Sequence, residues 1–177
     1  MKKLVATIAF TLPLLACAPE PVRPEPAPSG AAGPVGGGSG AGRMEVSRSA
    51  ARPPARGRAD WFTGDVTVTA LFDPKGSSRV GAALVRFEPG ARTAWHRHPL
   101  GQRLVVTEGL GWTQVEGGSI EAFGAGDVIW CPPGVRHWHG ATSTGAMAHI
   151  AIQEFENGSP VQWMEQVPDA LYRTGPS

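Results

Sequence analysis

Cysteine is scarce in this chain: Cys17 and Cys131 are the two among 177 residues. Neither a disulfide framework nor a thiolate metal site can be built from so few thiols. Long apolar runs are missing as well. The longest candidate, Leu4 to Leu15, contains two threonines and Pro13 and is too short to span a bilayer as a mature helix. Charge of one sign is not in excess, with a formal net charge of +1, and no basic stripe of the kind that binds nucleic acid is apparent. Between Ala18 and Ala59 there is no hydrophobic periodicity of any kind. A packed core is therefore excluded from roughly the first third of the chain.

What stands in that first third is a leader. Met1-Lys2-Lys3 followed by Leu4 to Leu15 reads as the basic and apolar regions of a secretory signal, and Leu14-Leu15-Ala16-Cys17 resembles a bacterial lipobox. On that reading residues 1–17 are the signal, Cys17 is the first mature residue, and it carries the lipid. An ordinary signal peptide cut near Ala16 or Ala18 is the alternative. Lipidation implies a protein of the bacterial cell envelope, anchored on the periplasmic side and touching membrane only through its lipid. Residues 18–59 are rich first in proline, then glycine, then arginine, and read as a disordered linker. The charge divides at the same point. Residues 1–59 hold eight Lys/Arg against three Asp/Glu (+5), and residues 60–177 hold eight against twelve (−4).

Residues 60–177 suffice for one modest folded domain. Asp65–Phe72 alternates Val66, Val68, Ala70 and Phe72, and Arg79–Glu88 forms a second strand closed by Pro89-Gly90. Further short strands are expected at 93–98, 102–107, 111–116, 119–123, 127–131, 137–141 and 147–155. Many short strands punctuated by Gly and Pro predict an all-β fold, an antiparallel sandwich or small barrel. The tail, Pro160 to Arg173, is expected to be partly helical, with Trp163, Met164, Val167 and Leu171 covering one wall. Six tryptophans read as core or interface rather than as a substrate pocket.

The organising stretch is Gly90 to Gly109, GARTAWHRHPLGQRLVVTEG. His96 and His98 are two apart and share one face of a strand. Gln102 follows behind the turn Pro99-Leu100-Gly101. A second stretch, GDVIWCPPGVRHWHG, runs from Gly126 to Gly140 and places His137 at the start of a strand. Three imidazoles and one amide oxygen make a first shell for a divalent metal with open positions. His139 shares a face with His137, and His149 shares one with Ala151 and Gln153. Buried polar groups of that kind require partners or a role, either as cavity base and substrate hydrogen bonders or as supports of the ligands. Arg86 and Arg103 are left open as inward-facing. Trp95 and Trp138 point away from the ligand face.

These two stretches resemble the paired motifs of the cupin superfamily. Gly90, His96, His98 and Gly109 fall in register with the first motif, except that Gln102 stands where glutamate is usual. Gly126, Pro132, Gly134 and His137 match the second, with Ala141 in place of asparagine. The resemblance implies a single cupin double-stranded β-helix, a jelly-roll barrel, with a short C-terminal helical tail. From Asp60 to about Arg173 the runs DWFTG, FEPGARTAWH, HPLGQ, HWHGA and AIQE are similar to a small bacterial cupin subgroup that includes manganese-dependent, R-selective hydroxynitrile lyases.

That likeness implies His96, His98, Gln102 and His137 as metal ligands, Mn as the metal (with Fe, Zn, Co or Ni also fitting N/O donors), and His149, His139 and Gln153 in the active-site cavity. It implies a small carbonyl or cyanohydrin-type substrate, cleaved to a carbonyl compound and HCN by Lewis-acid and histidine-base catalysis. Self-association into a homo-oligomer is left open. A metal-dependent oxygenase and a non-catalytic envelope cupin that binds a small ligand are the alternatives. A neutral amide leaves the full +2 on the metal, where glutamate would reduce it to +1.

Overall fold

The computed structural model describes residues 42–176. The expected signal segment, Cys17 and most of the expected linker lie outside the described residues. The compact unit runs from Glu45 onward. After a 3₁₀ turn at Ser49–Ala51 come β1 (Ala55–Arg56), β2 (Phe62–Thr63), β3 (Val66–Phe72), β4 (Val80–Phe87), β5 (Arg92–Thr93) and β6 (His96–Arg97). They are followed by β7 (Gln102–Val115), β8 (Ile120–Gly124), β9 (Val128–Cys131), β10 (His137–Ala141), β11 (Met147–Glu154), β12 (Gln162–Trp163) and α1 (Asp169–Tyr172).

All the pairings are antiparallel. One face of the jelly roll is β1-β3-β4-β11 joined to the first half of β7, with β9 on its far side. The opposite face joins the second half of β7 to β8 and β10, and β10 in turn to β5 and β6. A single 14-residue β7 therefore replaces the two strands expected at 102–107 and 111–116. It crosses between faces at Thr107–Gly109. There β11 pairs Ala148 with Glu108 but His149 with Val106, so Thr107 is the extra residue of a bulge. Gly109 sits at φ 71, and a Cβ on it would lie 2.0 Å from the Ala146 carbonyl oxygen. Bulge and glycine together bend the strand around the corner without ending it.

A second bulge changes the reading of β3. Ala70 pairs with Ala83 and Phe72 with Ala82, leaving Leu71 as the extra residue. The expected alternation stops there, and Phe72 turns out to solvent, 52% exposed. Upstream of Asp60, Ala55 and Arg56 pair with Val68 and Thr67 as β1, so the sheet takes in residues on the linker side of that expected boundary.

The apolar interior is divided in two. Phe62, Val66, Val85, Phe87, Val106, Phe123 and Met147 fill the barrel. Trp95, Ile120, Trp138, Val167 and Tyr172 form a second cluster under the tail. In the described tail, helix is confined to Asp169–Tyr172, and the preceding stretch is extended, with Trp163 on β12 beside β6. Val167, Met164 and Leu171 cover a wall as expected, whereas Trp163 packs against the barrel interior. The Arg92 guanidinium, 4% exposed, fastens α1 by donating to Val167 O (2.8 Å) and Asp169 Oδ1 (2.6 Å).

Candidate functional site

Register brings the histidines together. On β6, His96 lies directly opposite His137 of β10, and on its other side opposite Trp163 of β12. Gln102 opens β7 opposite Gln153 of β11. The His96 and His137 ring centroids are 4.3 Å apart, and His98 stands 5.1 Å from His96 and 5.6 Å from His137. His139 lies 5.2 Å from His96 and 4.9 Å from His149. All five rings are buried. Six of the seven singled-out side chains, all but His137, line one cavity of about 150 Å³, and the His137 ring is tilted 54° against that of His96.

Hydrogen bonding distinguishes the rings. His96 Nδ1 bonds Ala94 O at 2.9 Å, His98 Nδ1 bonds Pro160 O at 2.7 Å, and His137 Nδ1 bonds Val135 O at 3.0 Å. A carbonyl can only accept, so each of these rings carries its proton on Nδ1 and leaves Nε2 as a lone-pair donor. His98 Nε2 and His137 Nε2 are buried without a protein partner. Gln102 behaves alike: its Nε2 donates to Gln153 Oε1 at 3.0 Å, which leaves Oε1 buried and unpartnered. Nitrogens held by carbonyls with the opposite atoms free are what a metal-binding shell requires.

Two overlapping three-histidine groups are present. The tightest is His96, His137 and His139, whose ligand atoms lie within 4.8 Å of one another. Its geometry fits a metal ion, but His139 Nδ1 has no partner and no carbonyl fixes that ring's tautomer. The group His96, His98 and His137, with ring centroids 4.3 to 5.6 Å apart, has every Nδ1 fixed. Orientation favours the second group, since a ring can aim its lone pair at an ion only when its tautomer is held.

Burial keeps the whole cluster neutral. It pushes His98 and His149 down to about 4, lowers His137, and drives His96 and His139 well below the ordinary histidine value, with neighbouring imidazoles adding to the last two. Among the described residues no carboxylate is buried. His149 makes no hydrogen bond through either ring nitrogen. It faces the cavity beside Phe87, 5.5 Å away.

Two cavity residues escaped sequence reasoning. Trp61 and Trp163 form a stacked pair at 5.4 Å with planes 9° apart, and Trp163 lies 4.8 Å from His96. Trp61 precedes the first long strand and Trp163 sits in the tail, so no periodicity assigns either to the interior. The β6–β12 pairing was the missing information. Trp95 and Trp138 belong to the second cluster, away from the cavity, as their alternation required. Arg86 is paired outside with Glu88 and Glu108, and Arg103 lies over Trp130, so neither enters the cavity. Cys131 is a buried filler whose thiol is pushed up to about 11 by desolvation.

Residues 83–152 match the Cupin domain family. The chain is 54% identical over 130 residues to an (R)-mandelonitrile lyase of Granulicella tundricola, an alignment that covers 73% of this chain and 99% of that protein.

The chain belongs to the cupin superfamily.

Among solved structures, this cupin resembles a cupin-like protein of Thermotoga maritima at 41% identity and a TM-score of 0.65, covering 69% of this chain and 92% of that one. It shares the fold, at 20% identity and a TM-score of 0.59, with the polyketide cyclase RemF of Streptomyces resistomycificus, covering 74% and 92%.

Proposed function

We propose that this cupin is a metal-dependent lyase that cleaves cyanohydrins to a carbonyl compound and HCN. The reading rests on the extensive identity to an (R)-mandelonitrile lyase. The observation that carries it to the chemistry is a buried base without a partner, His149, facing the same cavity as His98 and Gln102, whose Nε2 and Oε1 are free.

His96, His98, Gln102 and His137 would hold a divalent cation, with manganese the proposed occupant. That ion would supply a Lewis-acid centre carrying its full +2 charge, which raises the acidity of a neighbouring hydroxyl. The chain's own residues do the rest. The wall of Phe62, Trp61 and Trp163 takes the apolar part of the substrate and keeps water away. His149, held neutral by burial at about 4, accepts the hydroxyl proton, the C–C bond breaks with its electron pair on cyanide, and the proton is returned to give HCN. His139, in contact with His149, and Gln153 orient the substrate. Gln153 is itself held by Gln102.

The test is release of benzaldehyde and cyanide from mandelonitrile by protein of known metal content. Release no faster than that given by free metal ion rejects the lyase reading. The leader is proposed to deliver the domain to the cell envelope, lipid-anchored through Cys17 on the periplasmic side.

A further inference from the structure

Two segments outside the long strands meet over the site. The first, Ala59–Thr63, brings in Trp61. The second, Pro160–Val167, brings in Trp163 and places the Pro160 carbonyl on His98 Nδ1 at 2.7 Å. Neither is fixed by a long ladder, since β2 and β12 are two residues each. Trp61 stacks on Trp163 and Phe62 meets Trp163 edge-on at 5.7 Å, and the side-chain hydrogen bonds between the two segments all come from one residue. Gln166 Oε1 accepts from Thr63 Oγ1 at 2.7 Å, and its Nε2 donates to Ala59 O at 2.9 Å and Asp60 O at 3.1 Å. The three bonds use both ends of the amide, across more than a hundred residues of sequence.

We propose that Gln166 is a positioning residue of this site. It staples the leading segment to the C-terminal strap, and through that staple holds the Trp61–Trp163 wall against His96 and the Pro160 carbonyl against His98. The proposal rests on His96 and His98 being metal ligands, as argued above.

The physics is that of a support for a ligand. A carbonyl at hydrogen-bond distance holds the His98 proton on Nδ1, and that carbonyl lies at the start of the strap, before the bonds that β12, Met164 and Glu165 make to residues 95–97. His96 is backed by Trp163, which is backed in turn by Trp61 at 5.4 Å. Arg58 caps the outer face of Trp61 at 4.8 Å, so the column runs from the linker side to a ligand. Releasing the staple removes the hydrogen bonds between the two segments and leaves each held by its own backbone bonds, Ala94 N to Trp61 O on one side and Met164 N to Trp95 O on the other, so the wall and the carbonyl loosen rather than detach. Loss of a group that orients a metal ligand typically lowers metal affinity ~10–100-fold. Because Gln166 acts one step further out, the low end, about 10-fold, is expected.

The experiment uses the full chain and Gln166→Met, which keeps the side-chain volume and removes all three bonds. Metal-loaded protein is challenged with excess chelator and the release rate followed. The near-ultraviolet circular dichroism of the metal-free protein reads the Trp61–Trp163 stack independently of metal and of catalysis. Gln162→Ala serves as control, since it breaks an exposed bond from Arg97 Nε, 2.8 Å, on the same strap.

The expected result is release about 10-fold faster in Gln166→Met, with the stack's band diminished and Gln162→Ala unchanged in both. Should Gln166→Met fail to fold, Thr63→Val removes one of the three bonds and is expected to show the same two changes in smaller measure. Parental release and parental dichroism in the folded variant overturn the proposal alone. Equal changes in Gln162→Ala also overturn it, because they would reflect general loosening of the strap. A parent that takes up no metal defeats the ligand reading and the proposal with it. Absence of cyanide release from a parent that does bind metal defeats only the lyase reading.

Discussion

Replacing His149 with alanine separates catalysis from stability more cleanly than any other change in this site. Neither ring nitrogen has a protein partner, so the substitution breaks no hydrogen bond within the chain. The ring borders a cavity of about 150 Å³ rather than filling a closed core. The stability cost therefore falls at the low end for large-to-small changes, no more than about 2 kcal/mol. That corresponds to a fall in Tm of less than about 10 °C for a domain of this size. The catalytic loss is larger. With burial holding the imidazole down to about 4, roughly 99.9% of it is unprotonated at pH 7, so essentially every molecule offers the base. A positioned base contributes ~10²–10⁴-fold, equivalent to about 3–5 kcal/mol of barrier. Cyanide release from mandelonitrile should fall by that factor at unchanged metal content, with elemental analysis run on the same sample. A fully metallated His149→Ala variant that works at the parental rate removes His149 from the mechanism and passes the role to His139.

Other consequences are open to measurement. His96→Ala and His137→Ala should each lose bound metal on elemental analysis, and full retention in both would sink the ligand assignment. His139→Ala should retain it, which decides between the two overlapping histidine groups. Gln102→Glu should keep metal but slow cyanide release by about 10-fold or more, because it lowers the site charge by one; an unchanged rate would refute the charge argument. Metal-free protein should be at full stability above about pH 6.5 and lose it toward about pH 4. Burial depresses the folded-state histidines, so the unfolded chain takes up protons first, and each of His98 and His149, lowered from 6.5 to about 4, contributes about 3 kcal/mol to the loss. A Tm that stays flat over that window would contradict it. Mass spectrometry of the membrane fraction should find an acylated Cys17 peptide, and an unmodified soluble chain starting elsewhere would reject the anchor.

Local rules made much of the barrel and its histidines legible. The HxH spacing put His96 and His98 on one segment, and the Pro-Pro-Gly turn put His137 at the start of β10, because strand alternation and turn chemistry act over a few residues. What escaped depended on register between distant segments. One extra residue at Thr107 and another at Leu71 are invisible in a pattern of period two, yet they merged two expected strands into β7 and turned Phe72 to solvent. Trp61 and Trp163 reach the cavity because β12 pairs with β6 and the Trp61 carbonyl accepts from Ala94 N. The expected short helix is present at Asp169–Tyr172, and between Pro160 and Pro168 the tail is extended because tertiary pairing of β12 with β6 overrides a weak local preference.

The cavity's electrostatics give the glutamine a physical rationale. Apart from Arg92, which is committed to Asp169 and Val167, the buried polar groups of the described residues carry no formal charge when the histidines are neutral. Desolvation, unopposed by any buried acid, is then the leading influence on all five imidazoles and lowers every one. A carboxylate at position 102 would reverse this locally. It would favour protonated neighbours and set protons in competition with metal for His98, and it would cancel half of the charge of any divalent ion that did bind. Gln102 avoids both effects while still offering an oxygen, and its amide nitrogen, bonded to Gln153, fixes which atom faces inward. The amide is the weaker donor, yet on the proposed reading it would keep the three imidazoles available as lone pairs and leave the charge of a bound ion for the substrate.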